Sequence, residues 1–385
     1  MAKRKCYLGT AAGIVAFEGE DGPDGKSRFE RVLDAMPERF FGQVLADPQP
    51  PGVLYAGSTP GLHGVVPGSA TIPGVDPTTR DGAVLYRSVD GGQTWEPTAR
   101  GIGVSGVRIL AQDETSGTLY AAGNGPATLF RSRDRGETWD EVTSLKNHPT
   151  AKMWVWHPGQ PRLGPTYNPS ISVSHGVIYV NVEEGWPYRS DDGGETWHHL
   201  RNGIHIDAHV IRADPTNPDR VWSTSAYGLV RSTDRGETWQ YVDHGDTTPR
   251  EYTTGLAINP RDPNVVVYAS SFQPGNADLY GGGARIHRTT DGGQTWHDLR
   301  NGLPFPMPGQ VCIAEFDQHD GLYLGTDSGD LYFSPDAGER WVNVAHRLGI
   351  RHFHKNSLAA LSVAAPDDAA SVFFTRRTDL VGAGR

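Results

Sequence analysis

Six octapeptides decide how this chain is read: SVDGGQTW (88–95), SRDRGETW (132–139), SDDGGETW (190–197), STDRGETW (232–239), TTDGGQTW (289–296) and SPDAGERW (334–341). They share the pattern Ser/Thr-x-Asp-x-Gly-x-Thr-Trp, and Arg340 is the single departure at the Thr position. Successive Trp residues are 44, 58, 42, 57 and 45 residues apart. A repeat of that period marks an array of small structural units. Within each copy the third-position Asp can accept hydrogen bonds from backbone N–H groups just ahead, as an Asx turn does. Gly at the fifth position permits positive φ. The hydroxyls can brace the same turn, and the Trp can bury a large apolar face between units. Asp90, Asp134, Asp192, Asp234, Asp291 and Asp336 are accordingly read as structural.

The flanks repeat as well. A short apolar segment precedes each octapeptide, as in Leu85-Tyr86-Arg87, Leu129-Phe130-Arg131 and Leu229-Val230-Arg231. Upstream lies a second strand: LYAGS (54–58), LYAAG (119–123), VYASS (267–271) and LYLGT (322–326). Before it comes a third, often closing in Asp-Pro or Asn-Pro: VLADP (44–48), IRADP (211–215) and LAINP (256–260). Four short strands per unit is the signature of a propeller blade. A further unit is hidden at the start, where YLGTAAGIVAF (7–17) aligns with YLGTDSGDLYF (323–333). EGEDGPDGKSRF follows as a degenerate copy with Phe29 in place of Trp. The expectation is an all-β, seven-bladed propeller of four-stranded antiparallel blades, with six intact boxes and one degenerate. It forms one domain over 1–385, closed by joining the N-terminal strands (about 5–30) to a C-terminal strand drawn from about 357–377. Both SLAALSVAA (357–365) and SVFFTRR (371–377) qualify for that closing strand.

Length alone, at roughly 150 residues per domain, would suggest two or three domains. The repeat replaces that with one ring. The 48 Gly and 28 Pro suit many turns, and six of the ten Trp close the six boxes. Net charge is −10 with no block of five or more like charges, which argues against nucleic acid and against a polybasic membrane anchor. Cys6 and Cys312 are the only cysteines, so neither a disulfide framework nor a Cys-rich zinc site can form. Lys3, Arg4 and Lys5 before CYLGTAAGIVAF look like the start of a signal peptide, but EGEDGPDG follows without a small-residue cleavage site. The segment is read as mature structure of a cytoplasmic protein.

The octapeptides resemble the Asp-box, or bacterial neuraminidase repeat, and the layout resembles stand-alone bacterial propellers of sialidase-like or glycosyl-hydrolase-like kind. The box also occurs in sialidases, xyloglucan-cleaving glycosidases, sortilin-type receptors and photosystem-II assembly factors. The resemblance covers nearly the whole chain and speaks for fold more than for function. It implies boxes on the face opposite the ligand site. A sialidase reading is weakened because the Phe/Tyr-Arg-Ile-Pro motif is absent; residues 36–41 run MPERFF. The xyloglucan-cleaving enzymes pair two propellers, whereas one is counted here.

By that resemblance a ligand would sit where loops entering the innermost strands surround the channel. In RNGIHIDAHVIRADP (201–215), strand alternation puts Asp207 and His209 on one face with His205 in phase. Arg250, Glu251 and Tyr252 precede the next inner strand. The long segment 146–170 carries His148, Trp154, Trp156, His157 and Tyr167, and long loops are often functional. Two further insertions, 59–83 and 272–284, and RHFHKN (351–356) add His63, Arg80, Asp81, Asp278, Tyr280, His352 and His354. One reading is a glycosidase-like hydrolase or lyase for a sugar-like or anionic small molecule. Asp207, Glu251 or Glu184 would then do acid–base work, with His209 and Tyr252 beside them. Arg250 would bind an anionic group, and Trp154, Trp156, Trp186 or Tyr252 would stack on the ligand. A second is a non-catalytic propeller that binds a carbohydrate or protein. A third is a divalent or transition metal ion held by His157, His209 and His354. His198 and His199 follow a box Trp directly and are set aside as remote from the channel.

Overall fold

A computed structural model describes residues 3–348 except 59–82, 155–169, 243–251, 272–283 and short stretches at 11, 23–25, 38, 48–51, 105, 124–126, 306, 308–310, 327 and 347; beyond them it describes the strand 358–364. Seven four-stranded antiparallel sheets surround a central channel. The first blade holds strands Lys3–Thr10, Gly13–Asp21 and Ser27–Ala35. Its innermost strand is Leu358–Ala364, which pairs antiparallel with Lys3–Thr10 from Lys5↔Ala364 to Thr10↔Leu358. Of the two segments competing to close the ring, the first is therefore the one that pairs; 371–377 lies outside the described residues. The innermost strands of the second to seventh blades are Phe41–Ala46, Val107–Gln112, Ser170–Ser174, Ala208–Ala213, Tyr252–Ile258 and Val311–Phe316.

Each box is the turn between the third and outermost strands of its blade. In the first, Ser88 Oγ donates to Asp90 Oδ1 (2.8 Å) and accepts from Gly92 N (2.8 Å). Asp90 Oδ1 accepts from Thr94 N (2.9 Å), and its Oδ2 accepts from Thr94 Oγ1 (2.6 Å). The same bonds recur around Asp134, Asp192, Asp234 and Asp291. Around Asp336, Arg340 Nε supplies the bond that the Thr hydroxyl makes elsewhere (2.6 Å), so the one departure in the motif keeps the turn. The Thr hydroxyl and then the Thr N–H hold the carboxyls of Asp90, Asp134 and Asp192 down at about 2. The fifth-position Gly has positive φ as expected; Gly92 sits at +91°, where an added Cβ would meet Leu33 at 2.8 Å. The fourth position is left-handed too, and at Arg135, Arg235 and Ala337 a side chain tolerates it.

The boxes also join blade to blade. The Arg that ends each apolar segment reaches the next box: Arg131 Nη1 donates to Gly193 O (2.5 Å), Arg231 Nη1 to Gly292 O (2.7 Å) and Arg288 Nη1 to Ala337 O (2.9 Å). Box Trp rings pack on the preceding blade, as Trp296 does edge-on to Trp222 at 6.0 Å. Phe29 does the same against Phe333 of the seventh blade (4.9 Å), so the degenerate copy keeps the packing role of its missing Trp. At the ring closure the buried Arg4 donates to Asp317 of the seventh blade (2.8 Å) and pairs with Asp21.

Innermost strands leave one edge without a fifth strand, and side chains of the neighbouring blade satisfy it. Leu110 N donates to Gln43 Oε1 (2.7 Å), and Ile211 N and Ala213 N donate to Ser170 and Ser172 hydroxyls (3.2 and 3.0 Å). Thr254 Oγ1 donates to Val311 O (2.5 Å). At the box end of the channel, Arg212 and Glu315 occupy matching register positions on the fifth and seventh blades, opposite Trp222 and Tyr323. Glu315 is fully buried and its carboxyl has no hydrogen-bond partner among the described residues; burial pushes it well above the usual carboxylate range against the pull of Arg212.

Candidate functional site

Because strands alternate in direction, box turns share one face, while the connections into each innermost strand and those joining second to third strands share the other. The described strand ends on either side of 59–82, 155–169, 243–251 and 272–283 all lie on that second face. It is also where the sheets lose regularity. Six of the seven innermost strands carry a register shift in their first few residues there: Phe41/Gln43, Val107/Ile109, Ala208/Ile211, Thr253/Leu256, Val311/Ile313 and the pairing of Leu358–Ala360 with Gly9/Thr10. Bulges turn side chains out of the ladder and are frequent beside active sites.

The fourth, fifth and sixth blades bring predicted residues together at this face. His209, displaced from the ladder by the bulge, places Nδ1 2.6 Å from Thr253 O. A carbonyl only accepts, so Nδ1 carries a hydrogen. Nε2 then faces Asp207 Oδ1 at 3.4 Å. The Tyr252 ring covers the imidazole, with centroids 4.5 Å apart. Asp207, His209 and Tyr252 are all buried. With Nδ1 engaged by the Thr253 carbonyl, Nε2 is the ring nitrogen turned toward the Asp207 carboxylate, on the face opposite the boxes.

The neighbouring turn is strained. Glu184 has φ +50° and Trp186 φ +66°, a conformation that is an outlier for a bulky residue. Trp186 N donates to Ile206 O (3.1 Å), tying this turn to the segment that carries Asp207. Glu184 is buried there, and the Trp186 ring stands edge-on to His199 at 5.4 Å. Trp154 does not face a ligand space. It is buried, its Nε1 donates to Tyr188 OH (2.8 Å), and it packs against Gly185 so closely that an added Cβ would meet it at 2.7 Å. The apolar ring found a core where sequence offered only a long loop. Trp156, His157, Arg250, Glu251 and His354 lie outside the described residues. Among the described residues no group of three or more His, Cys, Asp or Glu is placed to hold a metal ion. His198 and His199 are the outermost strand of their blade, as expected.

Several features escaped sequence reading. The strained turn 184–186 and the Thr253 carbonyl leave no motif. Nor does a hydroxyl–imidazole–carboxylate line in the sixth blade: Ser270 Oγ to His287 Nε2, and His287 Nδ1 to Asp298 Oδ1, both 2.9 Å. In that line the Ser is 3% exposed and the carboxylate 35%. A serine nucleophile needs the opposite order of access. The line instead ties the three outer strands of the blade together.

Comparison with known proteins agrees with this architecture. The family model of the BNR/Asp-box repeat matches residues 86–97, and that of Sortilin-Vps10 (sortilin, neurotensin receptor 3) matches 187–304. The chain is a β-propeller whose blades carry repeats matching the Asp-box. It is similar to a xyloglucanase of Acetivibrio thermocellus, 26% identical over 57% of this chain and 29% of the relative. It is also similar to a Paenibacillus xyloglucanase, 24% identical over 44% of this chain and 20% of the relative. The matches thus span a fifth to under a third of these relatives' length. Among solved structures, an ancestral GH74 enzyme superposes with a TM-score of 0.57 at 18% identity, over 80% of this chain and 38% of that one, a likeness of fold. No helix among the described residues is long and apolar enough to cross a membrane.

Proposed function

We propose that this chain is a glycosidase-like hydrolase acting on a polysaccharide of the xyloglucan type at the face opposite the boxes. The observation that carries the reading is the Asp207–His209 contact on the face opposite the boxes, a buried carboxylate 3.4 Å from an imidazole nitrogen. Glycosidic cleavage needs a proton delivered to the leaving oxygen and a second carboxylate on the sugar's other side. Asp207 with His209 supplies the proton. Glu184, on the turn hydrogen-bonded to the Asp207 segment, is the second carboxylate. Tyr252 limits water around the imidazole. The similarity to xyloglucanases supports a polymer in place of the small ligand expected from sequence.

The test is release of reducing ends from xyloglucan, with other β-glucans as comparison. Asp207→Asn should lower the rate about 100-fold or more while leaving the melting temperature within a few degrees. An unchanged rate in that variant removes Asp207 from the chemistry. No release from any glycan by the wild type removes hydrolysis.

A further inference from the structure

We propose that Tyr227, backed by His205, is a stacking platform for a pyranose ring next to Asp207; the inference deepens the carbohydrate reading above and rests on it. Tyr227 is the tip of the hairpin between Val221–Ser225 and Gly228–Ser232, on the face opposite the boxes. It is 52% exposed, yet its ring is not loose. It lies nearly parallel on the His205 imidazole, with centroids 4.7 Å apart and planes at 28°. The tip is rigid: Tyr227 N donates to Ser225 Oγ (3.1 Å), and Ser225 Oγ donates to Gly228 O (2.9 Å).

The platform is built into the Asp207 segment at two points. Ala226 N donates to Asp207 O (3.0 Å). Asp207 N donates to His205 Nδ1 (3.2 Å), which orients the imidazole beneath the tyrosine. An aromatic face held open to water gains by covering itself with an apolar surface of matching width. The C–H face of a pyranose is such a surface, and its rim hydroxyls would stay within reach of polar groups at the mouth. Stacking there places a sugar beside the Asp207–His209 pair. His205 and Tyr227 thus define a binding subsite.

The experiment is titration calorimetry with two probes, cellohexaose and a xyloglucan oligosaccharide, in the Asp207→Asn background so that the probe is not consumed. Tyr227→Ala should weaken binding about tenfold, the scale of one lost aromatic stack. Tyr227→Trp should keep affinity within about threefold of the parent, since a larger ring still offers a face. Equal affinity of Tyr227→Ala and its parent overturns the platform and leaves the carbohydrate reading standing. Failure of the wild type to bind either probe overturns the carbohydrate reading, and the platform with it.

Discussion

The two faces of the ring are built by different rules. On the box face, turns repeat the same hydrogen bonds around Asp90, Asp134, Asp192, Asp234 and Asp291, and arginines link each to the next. On the opposite face, six inner strands are bulged, Glu184 and Trp186 are strained, and imidazoles contact carboxylate and tyrosine. Repetition holds the ring; irregularity brings buried titratable groups together. Asp192 and Asp207 show the contrast in one residue type. The first is a carboxylate held ionised by a hydroxyl and N–H groups. The second sits buried beside the His209 imidazole, 3.4 Å from its Nε2.

If that division is right, variants on the two faces should fail in different ways. The largest effect is the loss of activity in Asp207→Asn without loss of fold, described above. Next comes the ring closure. Arg4→Met should cost about 3–5 kcal/mol in chemical denaturation, because it leaves Asp317 buried without its guanidinium. A cost below 1 kcal/mol would show that the closure does not depend on this pair. Glu315 predicts a pH signature. Its folded-state value lies above the ordinary carboxylate range, so the folded protein holds this proton more tightly than the unfolded chain. That contribution is present below the ordinary Glu value and is lost as pH rises through and above it. Glu315→Gln should therefore gain stability relative to wild type between pH 4 and pH 8, measured by paired thermal melts. A constant difference across that range would contradict the burial argument. The smallest effect belongs to a single box: Asp192→Ala should cost about 1 kcal/mol, like a lost cap, with activity retained. For the box carboxyls held at about 2 the sign is reversed: their stabilisation is present at neutral pH and lost as pH falls from about 4 toward 2. Acid melts of wild type and Asp192→Ala should converge in that interval.

Much of the ring was legible because local residues determine it. A box closes on itself within eight residues, so Ser88, Asp90, Gly92 and Thr94 suffice to define the turn. Strand alternation put Asp207 and His209 on one face, but the bulge that sets His209 out of the ladder left no sign in the sequence. The period then counts the blades, and Phe29 could be recognised as a degenerate Trp from its place in the repeat.

What only the tertiary structure decided depends on contacts between distant segments. Leu358–Ala364 and 371–377 have equal strand character, and pairing with Lys3–Thr10 selects between them. Trp154 sits in a long loop by sequence but finds Tyr188 some thirty residues on, and becomes core. His209 acquires its tautomer from Thr253 in the next blade, and Tyr227 its fixed face from His205. Local hydrogen bonding specifies a repeated turn wherever its residues occur. The His209 tautomer exists only once the sixth blade packs beside the fifth, and the supported Tyr227 ring only once the hairpin tip folds back on the segment before its blade's innermost strand.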